Sequence, residues 1–189
     1  KNIAVAVLTC ALFSAIQDAA AQTNASSYTT GKRYNFNRQV TAIINPDPDG
    51  TGSRTFSATR NSYNAQGLVT KIETGILYAW PSENIKPANW ESAGYRFDVT
   101  RSQVFTYDTW GRKLTEKTQD NASNPTALTQ YSYDSLGRLE YEAQRMNPAI
   151  YNSLPGHAST LTTVGSFGSD RITKYSYDTK DRITSILKA

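Results

Sequence analysis

Cysteine is nearly absent from these 189 residues: the single Cys10 lies inside an N-terminal apolar run, so no intrachain disulfide can form. Histidine is equally scarce. With His157 alone, a Ser/His triad and a Cys/His nucleophile pair both lack members, and a zinc site built from cysteine and histidine fails on ligand count. Charged residues make up 19%, below the usual quarter, and the basic ones are scattered rather than gathered into a run. That distribution excludes nucleic acid and an anionic membrane surface as expected partners. Long hydrophobic runs are missing too: the 14 residues from Ile3 to Ile16 fall short of the roughly 20 that a membrane-spanning helix needs.

What the N-terminus does contain reads as an export signal. Lys1 precedes the apolar run and Ala19, Ala20 and Ala21 follow it, so residues 1–21 are expected to form a signal helix cleaved before Gln22. Cys10 sits too deep in the run for lipid attachment. Cleavage would remove Lys1 and Asp18, leave the net charge at +4 and leave no cysteine, so the exported chain must rely on packing and strand pairing. Residues 22–33 are small and polar and are expected to be a disordered linker. The expected location is outside the cytoplasm, secreted or on a cell surface.

Tyr, Thr, Ser and Asn are abundant after that point, and one stretch organises them. In Tyr131-Ser132-Tyr133-Asp134-Ser135-Leu136-Gly137-Arg138-Leu139 the two rings alternate with a serine, as on one face of a strand. Asp134 and Gly137 then suit the first position of a type I turn and the left-handed residue that follows it. Copies centre on Tyr63, Asn64 and Gly67, on Tyr107, Asp108, Gly111 and Arg112, and on Tyr175, Tyr177, Asp178 and Arg182. In the last copy Asp181 stands in the glycine position. A weaker fifth copy is read with Phe36 as its aromatic and a turn two residues shorter.

With Phe36, Tyr63, Tyr107, Tyr133 and Tyr177 as anchors, the intervals are 27, 44, 26 and 44 residues, which makes a larger unit of 70 or 71. A fixed period of this kind implies an array in which each unit leans on its neighbours. The expected fold class is therefore all-β, antiparallel hairpins forming an open, twisted or spiralling sheet over 34–189, with hairpins near 34–44, 60–73, 104–117, 130–143 and 174–187. Insertions at 79–95 and 146–170 occupy the longer intervals. Ser82 is a candidate helix N-cap in the first, and Asn147-Pro148 starts a short helical turn in the second. Both fall at one phase of the period, which makes them candidate contact surfaces. Their aromatics, Trp80, Trp90 and Tyr151, are candidate ligand contacts.

Tyr-x-Tyr-Asp-x-x-Gly-Arg-Leu, matched throughout from Tyr131 to Leu139, resembles the YD repeat of the Rhs family, found in bacterial Rhs proteins, Tc insecticidal toxin shells and animal teneurins. The copy at 105–112 departs at Phe105 and has Lys113 in place of leucine; the last departs at Asp181. The resemblance implies a ribbon of β-hairpins that winds into a hollow shell, in many bacterial relatives around a C-terminal toxic domain. No counterpart of the self-cleavage segment or of a toxin domain is read here. This chain is expected to be an N-terminal segment of such a polypeptide or a short orphan, and four or five hairpins cannot close a cavity.

Other chemistry reads weakly. Asp47 and Asp49, with Gly50 and Gly52, form a proline-restricted turn rather than a calcium loop. Glu140 and Glu142 share a strand face as solvent-facing residues rather than a glycosidase pair. The repeated tyrosines either stack between successive hairpins or present rings to sugars. The expectation is a structural, non-enzymatic protein without a cofactor or metal, whose partners are further repeats or a toxin domain of the same polypeptide. A cell-surface module for glycans or a protein is the alternative.

Overall fold

The structure, a computed structural model, describes residues 29–48 and 55–189. The expected signal helix, most of the 22–33 linker and the Asp49–Gly52 part of the acidic turn lie outside the described residues. Ten strands follow one another: β1 (Gly31–Tyr34), β2 (Val40–Ile44), β3 (Phe56–Tyr63), β4 (Val69–Leu77), β5 (Phe97–Tyr107), β6 (Lys113–Gln119), β7 (Pro125–Tyr133), β8 (Leu139–Arg145), β9 (Arg171–Tyr177) and β10 (Ile183–Lys188). They form one antiparallel sheet in the order β1 to β10, each strand beside its sequence neighbours. The all-β, hairpin-repeat expectation is met. β1 begins at Gly31, so the last residues of the expected linker are strand.

Each hairpin turn is the same object. The amide of Asp134 donates to the carbonyl of Arg138 at 2.9 Å, and the amide of Gly137 donates back to Asp134 at 2.9 Å. Gly137 has φ 84° and the strand register shifts beside Tyr133, which together make a type I turn closed by a glycine bulge. Gly67, Gly111 and Asp181 take the same left-handed conformation, Asp181 with φ 60°.

Two readings of the repeat are corrected. The first hairpin has the full-length turn, since Asn35 bonds Gln39 and Arg38 bonds Asn35, and Arg38 takes the left-handed position with φ 61°. Its anchor is therefore Tyr34, not Phe36, and the first interval becomes 29 residues. An aromatic at Phe36 and an arginine where glycine is usual disguised the alignment. A sixth copy of the turn, at Asp120–Asn124, joins β6 to β7 with Ser123 at φ 64°.

Packing divides the chain into two units, Ile76–Phe97 with the chain up to Thr59, and Arg60–Gly75 with Asp98–Ala189. In the first, Ala42, Ile44, Leu77 and Trp90 are fully buried. Trp90 meets Phe97 edge-to-face at 5.3 Å, and Phe56 meets Trp80 at 5.4 Å. The 3-10 turn Pro87–Asn89 starts from Lys86 without a side-chain cap, so Ser82 is not the cap; its carbonyl accepts from Ile85 in a preceding turn.

The second unit has a small apolar core, Ala143, Ala158 and Ile172 with half-buried Tyr141 against them. Polar side chains fill much of the rest, with Ser102, Gln130, Ser132, Arg145 and Asp170 all buried. Gly75 shows how closely its strands approach: a Cβ there would overlap the backbone carbonyl of Asp98. Gly75→Ala must push β4 and β5 apart, and a loss of about 1–3 kcal/mol is expected in denaturant unfolding. An unchanged midpoint would mean that the strands can separate freely.

Candidate functional site

The repeated residues do two jobs, one inside each turn and one between hairpins. Inside the turn, Asp134 Oδ1 accepts from the amides of Leu136 and Arg138 at 3.0 and 2.9 Å, while Oδ2 takes the Arg138 Nε at 2.8 Å. Asp108 with Arg112 and Asp178 with Arg182 repeat this set. Asn64 reproduces the Oδ1 half, accepting from Gln66 and Leu68. An amide can cap the turn but cannot pair with a cation, and in this hairpin Leu68 stands where the Asp108, Asp134 and Asp178 turns have arginine.

Between hairpins, the tyrosine before the turn aspartate reaches back to an earlier hairpin in three copies. Tyr107 donates its hydroxyl to the Val69 carbonyl at 2.7 Å, Tyr133 to Lys113 at 2.8 Å and Tyr177 to Leu139 at 2.7 Å. In every case the acceptor is the residue just after the arginine position of the previous turn. That arginine covers the ring: Arg112 lies 4.6 Å from the centre of Tyr133, and Arg138 lies 4.7 Å from that of Tyr177. Lys113 also sits 4.9 Å from the Tyr131 ring. The stacking expected of the tyrosines is thus ring on cation for Tyr131, Tyr133 and Tyr177. Burial pushes the Tyr107 and Tyr133 hydroxyls above their ordinary range, which keeps them protonated donors.

The glycine completes the joint. A Cβ on Gly137 would stand 3.2 Å from Arg112 Nη1, and one on Gly111 would stand 3.3 Å from the Leu68 side chain. Where the glycine is Asp181, the arginine below it gains a partner instead, with Arg138 Nη1 donating to Oδ1 at 2.7 Å. Asp181→Gly relieves a left-handed conformation costing about 1 kcal/mol, but removes this exposed pair. A melting temperature within about 2 °C of the parent is expected. A clear fall would show that the Arg138 pair outweighs the strain.

Desolvation would raise the Asp108 and Asp134 carboxyls, yet the turn amides and the paired arginine outweigh it and hold both below the usual carboxylate range. At Asp120 and Asp178 the amide hydrogen bonds lead in the same direction. A carboxyl depressed in the folded state contributes stability above its unfolded pKa of about 3.9, and that contribution is lost as pH falls through the folded value. Thermal melts should therefore be flat from neutral pH to about pH 5 and fall steeply below about pH 4. A melt unchanged down to about pH 2.5 would contradict the capping role of these carboxylates.

A second constellation was missed from sequence. Arg145, at the end of β8, is 1% exposed and pairs with Asp170 at 2.7 Å. Its Nη2 donates to Gln130 Oε1 at 2.6 Å, and Nη1 donates to the Thr160 carbonyl at 2.7 Å. Asp170 Oδ1 accepts from the Met146 amide, and Oδ2 accepts from the Thr162 amide and hydroxyl. Burial pushes the Asp170 carboxyl up, but the Thr162, Met146 and Arg145 donors together hold it below the ordinary range. Gln130 Nε2 binds the Pro155 carbonyl, and Ser132 Oγ takes the Ala158 amide. Side chains of β7 and β8 thereby pin both ends and the middle of the 146–170 insertion. Asn147 caps the 3-10 turn Pro148–Ile150 through the Ala149 amide, as expected.

These contacts reassign the candidate ligand residues. Trp90 is fully buried and Tyr151 is 6% exposed, its hydroxyl spent on the Arg145 carbonyl. Trp80 is half-buried over Gly31 and against Phe56. Their rings pack within the insertions, and Tyr151 also contributes to an open groove with Leu128, Met146, Pro148, Phe167 and Arg171. Tyr63 is half-buried at the end of β3, and Tyr175 donates to Glu142 at 3.4 Å. His157 is half-buried, with Nδ1 2.8 Å from Ser159 Oγ and its ring edge-to-face with Tyr141. Among the described residues no cluster of three or more His, Cys, Asp and Glu is placed to hold a metal, and no helix is long and apolar enough to cross a membrane.

No protein-family model matches the chain, and no curated protein matches it in sequence. Among solved structures, the crystal structure of TcdB2-TccC3 is similar at 16% identity and a TM-score of 0.33, over 84% of this chain and 9% of that one. The chain therefore spans less than a tenth of the length of that neighbour.

Proposed function

We propose that this chain is a structural segment of an exported Rhs-type β-shell, a scaffold that carries or encloses another domain and performs no chemistry itself. The observation that carries this reading is the repeated joint, in which the hairpins that turn at Asp108 and Asp134 each hand an arginine face and a carbonyl to a tyrosine of a later hairpin. Such a joint fixes how one hairpin sits on another without a large apolar core, which suits an extended wall. It also occupies Arg112 and Arg138 internally, leaving them poor contacts for nucleic acid. The partners are further hairpins or an enclosed domain, a toxin among them, and export proceeds through residues 1–21. The test is an antibody against residues 98–189 applied to the source cells. A secreted or surface polypeptide much longer than 189 residues is expected, and a soluble cytoplasmic band of this length would overturn the reading.

A binding-module reading has one observation in its favour, at a place other than the insertions. Trp110 is 79% exposed at a turn tip, beside a shallow cleft formed with Arg112, Asp134, Ser135 and Leu136. Glycan-array binding abolished by Trp110→Ala would support that reading.

A further inference from the structure

An open groove of about 570 Å3 runs across the end of the sheet where β7 starts and β8 finishes, a volume that suits a small organic ligand. Its floor is apolar. Leu128 and Tyr151 are 3% and 6% exposed, and Met146 and Pro148 line the groove beside them. Tyr151 offers its ring rather than its hydroxyl, which is bound to the Arg145 carbonyl.

Free charge in the groove has one sign. Among the described residues no Asp or Glu lines it, and the Arg145 guanidinium is committed to Asp170 and Gln130. That leaves Arg171, exposed at the start of β9 and without an ion pair among the described residues. Gln144 stands opposite it in the strand register, so the two side chains leave the sheet on the same face.

Phe167 supplies the remaining wall. It is 65% exposed, yet the turn that carries it is held at several points. The Gly168 amide donates to the Gly165 carbonyl at 3.1 Å, and Asn147 Nδ2 donates to the Thr163 carbonyl at 2.9 Å. A Cβ on Gly165 would stand 2.9 Å from the Asn147 side chain, so the turn is seated on the residue that caps Pro148–Ile150. An exposed ring fixed at a groove has little freedom left to lose when something binds beneath it.

We infer that this groove binds a small aromatic carboxylate, with its ring among Tyr151, Met146 and Phe167 and its carboxylate on Arg171. A guanidinium fork meets a carboxylate through two parallel N–H donors, and the Gln144 amide can add a third. Ring edges and a thioether favour an aromatic group over a plain alkyl chain. A cationic ligand would meet Arg171 with no acid in the groove to offset it. The site is independent of the scaffold reading, since its walls come from β7, β8, the first residue of β9 and the 146–170 insertion rather than from the joints between turns.

Met146 is the only methionine in the chain, so labelling the methionine methyl group of the full-length protein for NMR gives a single resonance, seated in the groove. Titration with naphthylacetate should move that resonance saturably, through the ring current of the bound naphthalene. Naphthylethanol, the neutral counterpart, should bind about five- to tenfold more weakly, and Arg171→Gln should weaken the acid to a similar extent. The alcohol should bind the parent and Arg171→Gln alike. Phe167→Ala should weaken both ligands about three- to fivefold. Both substituted side chains are exposed, so thermal melts of the variants should match that of the parent, and the comparison of acid with alcohol needs no variant at all. Acetate should leave the resonance in place. The absence of a saturable shift would overturn the inference, as would equal affinities for acid and alcohol, or Arg171→Gln binding the acid as the parent does. A shift that acetate reproduces would overturn it too, because the ring would then have no part in binding.

Discussion

Arg145→Met is expected to cost about 3–5 kcal/mol, among the largest losses any single side chain here can produce. The replacement fills most of the volume but leaves Asp170, itself buried, as a charge without its cation. It also orphans Gln130 Oε1 and the Thr160 carbonyl, each of which accepts from the guanidinium. Neutralising Asp170 as well should not restore stability, because that carboxylate also binds the amides of Met146 and Thr162. Lysine should recover little, since one ammonium cannot serve acceptors that a guanidinium fork reaches together. Hydrogen exchange should show the damage as lost protection across 146–170, with the turns at Asp108 and Asp134 less affected. A variant within about 1 kcal/mol of the parent would mean that the insertion is held by something else.

Trp90→Ala is expected to be of similar size, about 3–5 kcal/mol, for a different reason. The indole is fully buried and edge-to-face with Phe97, so its removal leaves a cavity too large for its neighbours to fill. Its Nε1 has no hydrogen-bond partner, so Trp90→Phe should be markedly milder: it gives up no bond and keeps most of the ring. Urea unfolding followed by fluorescence measures both. If Trp90→Ala left stability intact and removed only an affinity, the tryptophan would be the ligand contact that its place in an insertion first suggested.

The parts of the fold that could be read in the sequence are those where residue identity at a fixed offset decides conformation. Asp134, Gly137 and Arg138 specify a turn because a carboxylate caps two amides, glycine accepts a positive φ and the arginine returns to the carboxylate. All three act within five residues. Asn147-Pro148 marked a helical turn by the same local logic. The turn at Asp120–Asn124 escaped notice because no tyrosine precedes it and Ser123 stands where glycine is usual, although its aspartate caps the amides of Ala122 and Asn124 as the others do.

What could not be read depends on partners distant in sequence. Arg145 and Asp170 are 25 residues apart, and neither lies in a motif that announces the other. Trp80, Trp90 and Tyr151 looked like surface aromatics because insertions usually carry contacts. Burial there is decided by how the loop folds back, which composition does not encode. The role of the tyrosine was half legible: periodic placement indicated contact between hairpins, but the partner is a cation and a carbonyl rather than a second ring.

A double-mutant cycle on Arg112→Ala and Tyr133→Leu, read by urea unfolding, measures the joint between consecutive hairpins directly. A favourable coupling of about 0.5–1.5 kcal/mol is expected, because either change alone removes the cation from the ring. Losses that simply add, to within about 0.3 kcal/mol, would show that the two hairpins meet there without recognising each other.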